Sequence, residues 1–406
     1  MTDPGEKSAK PSRSRFAAAA GVLMVGVLLI GAIWLFNGMH AQKTATTKQG
    51  VAHQGPTHLD IHSGNLLCST TYDKNWPIFL ARPTLSWSAT GMLAEQHGSL
   101  RTFDPKTCTE QSASWAANAA GRPVWSPDGK RLLLFGSSSY AGGTAQVLDA
   151  TTGQTLATMK LERTKTQAPA FVQAAWTPDG TQIVTVALVS YDSHTTSTIA
   201  IQVWNASTGA LIRTVKTTST LVGNATVSPN GKYFALLTPA KHLQFWDVTT
   251  GQMISSVASN QQGLPEAAWS PDGAYLAIPE GSTNPPDIPA AVQVFATASA
   301  QRVATFQDRD TFQGVIDALA WSPDGRYLAE GGHAINIWDM KTQKMAATFG
   351  KISPDTTTTN GIKTAYWVAG LVWSPDGHTL ASVTGGEPLG SGEPDQRDTL
   401  NVWQLS

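Results

Sequence analysis

One phrase recurs seven times along this chain: an apolar strand ending in Trp, a Ser-Pro-Asp-Gly turn, a second apolar strand, and a third that closes on an aromatic-Asp pair. The clean copies are Trp125-Ser126-Pro127-Asp128-Gly129, Trp269-Ser270-Pro271-Asp272-Gly273, Trp321-Ser322-Pro323-Asp324-Gly325 and Trp373-Ser374-Pro375-Asp376-Gly377. Trp176-Thr177-Pro178-Asp179-Gly180 and Val227-Ser228-Pro229-Asn230-Gly231 are lightly altered, and Trp87-Ser88-Ala89-Thr90-Gly91 keeps only the Trp, Ser and Gly. The closing pairs follow in step: Phe103-Asp104, Leu148-Asp149, Trp204-Asn205, Trp246-Asp247, Phe295-Ala296, Trp338-Asp339 and Trp403-Gln404. A period of about 40 to 50 residues with four-stranded content is that of propeller blades. The expected fold is therefore all-β, a seven-bladed β-propeller of four-stranded antiparallel blades.

Turn chemistry accounts for the motif without reference to function. Pro presets the first central position of the turn, Asp tolerates the next, and Gly accepts the positive φ from which the following strand starts. Asn230 can do the same local work as Asp. The repeat tryptophans Trp125, Trp176, Trp269, Trp321 and Trp373 are expected to pack between blades.

These repeats resemble those of WD-repeat propellers and of TolB-like propellers, which carry the same Trp-Ser-Pro-Asp-Gly turn; the resemblance covers residues 58–406. It implies the fold and leaves the activity open. The Gly-His pair that opens many WD repeats is missing from its place before each first strand, so the turn aspartates are expected to act locally. Asp-x-x-Thr-Gly turns also occur in quinoprotein propellers, but the Trp that should follow is replaced by Gln154-Thr155-Leu156 and Gln252-Met253-Ile254. No cofactor is expected.

The last blade stops at its third strand, 400–406, with no residues left for a fourth. The strand-like stretch at 58–72 is the candidate to supply it and clasp the ring; the alternative is a loose leader and a three-stranded last blade. The two cysteines, Cys68 on that stretch and Cys108 just after the third strand of the first blade, then meet at the seam as a possible disulfide. Two separate buried thiols are the other reading.

Residues 16–39 contain no charge, and the run from Ala17 through Phe36 is long enough to cross a bilayer as a helix, for which about 20 apolar residues suffice. Lys7, Lys10, Arg13 and Arg15 precede it, which by the positive-inside rule places residues 1–15 in the cytoplasm. The expectation is a single-pass membrane protein with an extracytoplasmic propeller. A cleaved signal would have a shorter apolar region and a small-residue cleavage site, which does not follow Met39. Residues 40–57, rich in Thr, Gln, Lys and Gly, read as a flexible tether of about 20 to 25 Å. Charged residues make up 14% of the chain and the net charge is −1, so nucleic-acid binding has no electrostatic basis.

In an antiparallel four-stranded blade the first-to-second and third-to-fourth turns share one face, here the uniform turn face. The remaining connections share the opposite, variable-loop face: 136–144, 189–197, 279–290 and 385–398 within blades, with 307–314 and 351–366 between them. Variable loops on a rigid scaffold are where binding resides. Tyr140, Tyr191, Phe312, Tyr366 and Trp367 are the partner-binding candidates there, for a protein or glycan. The arrangement also looks like the sensor half of bacterial receptor kinases, without the kinase. An enzyme needs convergent acids, bases or metal ligands. No compact metal motif is present, and His58 and His62 merely share a strand face. A glycosidase- or lactonase-like hydrolase remains the alternative, with acids such as Asp192, Asp287, Asp308, Asp310, Glu330, Asp355, Glu387, Glu393 and Asp395 gathered over the channel.

Overall fold

The computed structural model describes residues 60–406 except 74–83, 98, 112–120, 137–142, 163–168, 192–196, 221–224, 260–263, 265–266, 281–290, 308–315, 353–356, 360–361 and 389–396. Of the earlier residues it describes only the backbone of Gly38–Met39, which pairs in parallel with Ser86 and Trp87. These are the last two residues of the segment assigned to the membrane helix, and they are extended. The remainder of that segment, the 1–15 tail and the tether up to 57 lie outside the described residues. Among the described residues no helix is long and apolar enough to cross a membrane.

Seven sheets follow one another around a ring. Blade 1 holds Thr84–Trp87, Leu93–His97 and Ser99–Phe103; its outer edge is a single bridge between Phe103 and Glu110. Blade 2 runs from Arg122–Trp125 to Thr155–Lys160, blade 3 from Ala170–Trp176 to Leu211–Thr220, and blade 4 from Ala225–Val227 to Met253–Ala258. Blade 5 runs from Ala268–Trp269 to Arg302–Gln307 and blade 6 from Ala318–Trp321 to Lys344–Phe349. Blade 7 is built from Ile362–Trp373, Thr379–Pro388 and Arg397–Leu405, and its outer strand is Gly64–Asp73, antiparallel with Gly64 opposite Leu405 and Asp73 opposite Arg397. The clasp thus closes the ring as the sequence predicts. Cys68 and Cys108 are joined by a disulfide with Cα atoms 5.7 Å apart.

Each repeat Trp ties its blade to the one before. The indole N–H of Trp125 donates to Ser86 O, Trp176 to Val124 O, Trp321 to Ala268 O and Trp373 to Ala320 O, while Trp269 donates to the Thr226 hydroxyl, at 2.9–3.3 Å. All five indoles are buried. The third-strand tryptophans instead bond within their own blade: Trp204 to Thr185, Trp338 to Glu330 and Trp403 to Ser382. A buried indole N–H usually finds a partner, and in these three blades the second strand supplies it at the same position; Trp246 of blade 4 instead donates to Gln244 of its own strand at 3.3 Å. The apolar core follows the same seams. Leu85, Trp87, Leu93 and Phe103 of blade 1 pack on Val372, Val383, Leu400 and Val402 of blade 7, with both cysteines alongside.

The turn aspartates are used locally. In six turns the Ser or Thr hydroxyl donates to the Asp or Asn side-chain oxygen at 2.5–2.7 Å. The same hydroxyl accepts the N–H five residues on, as from Tyr327 to Ser322 and Thr379 to Ser374. Gly325 closes its turn at φ +72°, in the left-handed region that side chains disfavour.

This local bonding sets an acid limit on stability. Burial opposes ionisation of Asp128 and Asp179, yet the hydroxyls of Ser126 and Thr177 and the N–H groups of Lys130 and Thr181 outweigh it, holding both carboxyls below the usual 3.8. The Thr152 N–H and hydroxyl lower Asp149 likewise. A carboxyl with a depressed folded value stabilises the fold above its unfolded value, and that contribution is lost as pH falls through the folded one. The unfolding temperature is therefore expected to be insensitive to these groups from neutrality to about pH 5 and to fall below about pH 4. Asp128→Asn with Asp179→Asn should flatten that acid slope in a thermal-denaturation series.

Candidate variable-loop face

The strands that reach the two faces differ in length. In blade 6 the second strand is Tyr327–Gly331, five residues; in blades 3 and 7 the corresponding strands, Gln182–Tyr191 and Thr379–Pro388, have ten. All three start at the same distance from their turns, so the additional residues project on the variable-loop face. At about 3.3 Å per residue the projection is roughly 15 Å. Blades 3 and 7 stand almost opposite each other in a ring of seven. The partner strands extend with them, Ser197–Asn205 and Leu211–Thr220 in blade 3 and Arg397–Leu405 in blade 7, and a small hairpin, Thr357–Thr359 with Ile362–Thr364, is added to blade 7.

This placement corrects part of the sequence reading. Tyr191 and Tyr366 lie on strands, not in loops, and Trp367, which directly follows the 351–366 connection, belongs to the inner strand of blade 7: Tyr191 pairs with Ser197, Tyr366 with Gly386 and Trp367 with Gly385. The physical reason is β-propensity. The segment 182–191 is rich in Val, Ile, Thr and Tyr and contains no Gly or Pro to end it. Tyr140 and Phe312 lie outside the described residues, as do the side chains of Tyr191 and Tyr366. The Trp367 side chain is half-buried, and its Nε1 is buried with no hydrogen-bond partner among the described residues.

A second unpaired ring nitrogen lies beside it in the fold. His333 occupies the turn between the second and third strands of blade 6, and its Nδ1 is also buried with no hydrogen-bond partner among the described residues. The turn is fastened to blade 7, since the Val368 N–H donates to Gly332 O and the Ile352 N–H to His333 O, each at 2.8 Å. One junction on the variable-loop face thus carries two buried polar atoms without a hydrogen-bond partner among the described residues, where native interiors leave few. The Gly331-Gly332 pair is a turn signal that the sequence reading did not use.

The channel wall is made by the inner strands. Arg122 of blade 2 donates from Nη1 to Val172 O of blade 3 at 3.1 Å, and Gln173 accepts the Val227 N–H of blade 4 at the same distance. Enclosure lowers the Arg122 guanidinium from its ordinary range to about 10, so it stays charged at neutral pH.

Of the acids weighed for catalysis, Glu330 is not a loop residue. It is buried in the second strand of blade 6 and accepts the Trp338 indole N–H at 2.7 Å. Glu387 is in the second strand of blade 7, and Asp192, Asp287, Asp308, Asp310, Asp355, Glu393 and Asp395 lie outside the described residues. Among the described residues no group of three His, Cys, Asp or Glu side chains is placed to hold a metal ion.

These features define the class: a seven-bladed β-propeller with one uniform face and one elaborated face. No protein-family model matches the chain, and no curated protein matches it.

Proposed function

We propose that the protein is a membrane-anchored, extracytoplasmic propeller that holds a protein or glycan partner on its variable-loop face. The observation that carries this reading is the asymmetry of the two faces. On the turn face the hydroxyls and carboxylates of the repeats are bonded to one another. On the other face, blades 3 and 7 project, and the Trp367 and His333 ring nitrogens are buried with no hydrogen-bond partner among the described residues. Propellers of this build act as rigid interaction platforms, with specificity carried by loops on the scaffold. The uncharged segment 16–39 and its basic flank support the anchor. The Cys68–Cys108 disulfide supports an oxidising compartment.

Proximity crosslinking of the full-length protein in its native membrane tests the proposal. A reproducible partner should attach at the projecting strands of blades 3 and 7. Replacing Tyr191, Phe312, Tyr366 and Trp367 together with Ser should reduce its capture at least about tenfold, the effect of one aromatic anchor worth 1.4 kcal/mol. Lys130→Ala and Thr151→Ala on the turn face should leave capture unchanged. Full retention of every partner by the aromatic variant would refute the reading.

A further inference from the structure

Between blades 2 and 4 the channel wall is built from side chains that reach along the ring to the next blade. Arg122 and Gln173 each stand three residues before the repeat Trp of their blade, in the half of the inner strand nearer the variable-loop face. Each caps a backbone group of the following blade. Phe171 pairs with Ala187 and Gln173 with Val186, so Val172 is the additional residue of a bulge, and its carbonyl accepts from Arg122 Nη1 at 3.1 Å. A bulge leaves its additional residue outside the ladder. The Val227 N–H of blade 4 is taken in the same way by Gln173 Oε1, also at 3.1 Å. Both polar heads therefore lie along the inner edges of the sheets, which bound the channel.

What the two heads have left is donors. A guanidinium carries five N–H groups and a carboxamide two. Arg122 spends one of them on a neutral carbonyl and forms no ion pair among the described residues; Gln173 bonds there through its oxygen alone. Enclosing a charge is costly unless it is paired, yet the Arg122 guanidinium keeps its charge at neutral pH. The residue is only partly buried, and its unused nitrogens keep access to solvent, which on this wall is the channel. Across the ring, blades 6 and 7 carry Ala318 and Gly370 at the corresponding position and bring no acid to this level. Gly38–Met39, which runs beside Ser86 and Trp87 of blade 1, belongs to the uncharged run 16–39 and brings none either.

We propose that Arg122 and Gln173 form a carboxylate-binding site in the channel wall at the seam of blades 2 and 3, entered from the variable-loop face. With Nη1 held on Val172 O, the Nε–Nη2 edge of the guanidinium remains, and its two parallel N–H groups match the two oxygens of a carboxylate, a pairing that the arginine fork favours. The carboxamide NH2 adds a neutral donor on the same wall. A single cation suits a singly charged group better than a phosphate dianion: among the described inner strands the one other basic residue is Lys363, on the projecting end of blade 7. The site needs neither the membrane anchor nor the loop aromatics. Its carboxylate comes from a free organic acid or from an acidic side chain of a polypeptide, and the test separates the two.

Thermal unfolding of the full-length protein in detergent is followed while sodium acetate replaces sodium chloride at constant ionic strength and, in a parallel series, while a blocked Gly-Asp-Gly peptide is added. The unfolding midpoint should rise with the occupied fraction. A response to acetate alone assigns a free acid; a response to the peptide at equal or lower concentration assigns a side-chain carboxylate. Arg122→Gln, which retains a donor for Val172 O, should need at least about tenfold more ligand for the same rise. Arg122→Lys keeps the charge without the fork and should fall between. Gln173→Glu keeps an acceptor for the Val227 N–H, sets a negative charge on the same wall, and should weaken binding severalfold. Near-ultraviolet circular dichroism checks that each variant is folded, and a variant that is not leaves the decision to the others. No rise over chloride with either carboxylate overturns the site. So does a folded Arg122→Gln or Gln173→Glu variant that responds as the parent does, or a rise with inorganic phosphate that acetate and the peptide do not give.

Discussion

Trp321→Ala is expected to destabilise the propeller by about 3–5 kcal/mol, the range for truncating a buried aromatic side chain. Trp321 is 1% exposed, stacks on Tyr275 of blade 5 with ring centroids 6.1 Å apart, and donates its N–H to Ala268 O at 2.9 Å. The substitution removes an indole from a seam between two blades and leaves a buried carbonyl without its donor. The inner strand of blade 5, Ala268–Trp269, pairs with its neighbour at only two positions, so little else holds that carbonyl in place. Trp321→Phe separates the contributions. It keeps most of the apolar contact and loses the N–H, for an expected cost of about 1–3 kcal/mol. Chemical denaturation of the two variants against the parent gives both numbers. Equal losses for Ala and Phe would show that the hydrogen bond, not the packing, dominates the seam.

Five of the repeat tryptophans make the same blade-to-blade bond, and this regularity is why the fold could be read from residues alone. Period, turn and closing pair are set by local chemistry and recur wherever the same five or six residues recur. Ring closure was readable for a related reason: the stretch before the first repeat has a strand pattern but belongs to none of the seven copies, and it pairs as Gly64–Asp73 with the third strand of blade 7. The third-strand tryptophans were less transparent. Trp204, Trp338 and Trp403 each find their acceptor at the same position of the second strand, as Thr185, Glu330 and Ser382. One of those acceptors is a carboxylate, and read as a sequence it resembled a catalytic candidate. Strand length was harder still. Nothing in 182–191 breaks a strand, yet nothing in a linear reading says that the neighbouring segments 197–205 and 211–220 will extend to match it, because that is a property of pairing across the sheet. The same holds for the junction of His333 and Trp367, which are separated along the chain and brought to one place by blades 6 and 7.

Cys108 shows how a local rule and a long-range one meet. In the turn that follows the third strand, blades 2, 3 and 4 place Gly153, Gly209 and Gly251 at positive φ, and blade 1 places Cys108 there, at φ +53°. Blades 5 and 6 place Ala300 and Gln343 there, at φ +55° and +56°, so this turn holds a side chain in the left-handed region in three blades; in blade 1 that side chain also forms the covalent bond across the ring seam.

Replacing both cysteines with alanine is expected to remove up to about 4 kcal/mol of stability, the chain-entropy value for a closed loop of some 40 residues. The loss should appear first in the clasp. Gly64–Asp73 is an outer strand whose only ladder partner among the described residues is Arg397–Leu405, and Ser63 and Ser406, which bond there, are 343 residues apart in sequence. Contacts of such separation form late and at high entropic cost. With the disulfide intact, release of the clasp strand from blade 7 still leaves Cys68 fixed to blade 1. Without it, the strand can leave the sheet altogether and expose the edge of 397–405. Amide hydrogen exchange distinguishes the two cases. In the double variant, protection across 64–73 and 397–405 should fall well before protection in blade 4, whose ladder does not involve the seam. If exchange in all seven blades rises together, opening at the seam is not a separate event, and the ring unfolds as one cooperative unit with the bond acting only on the unfolded chain.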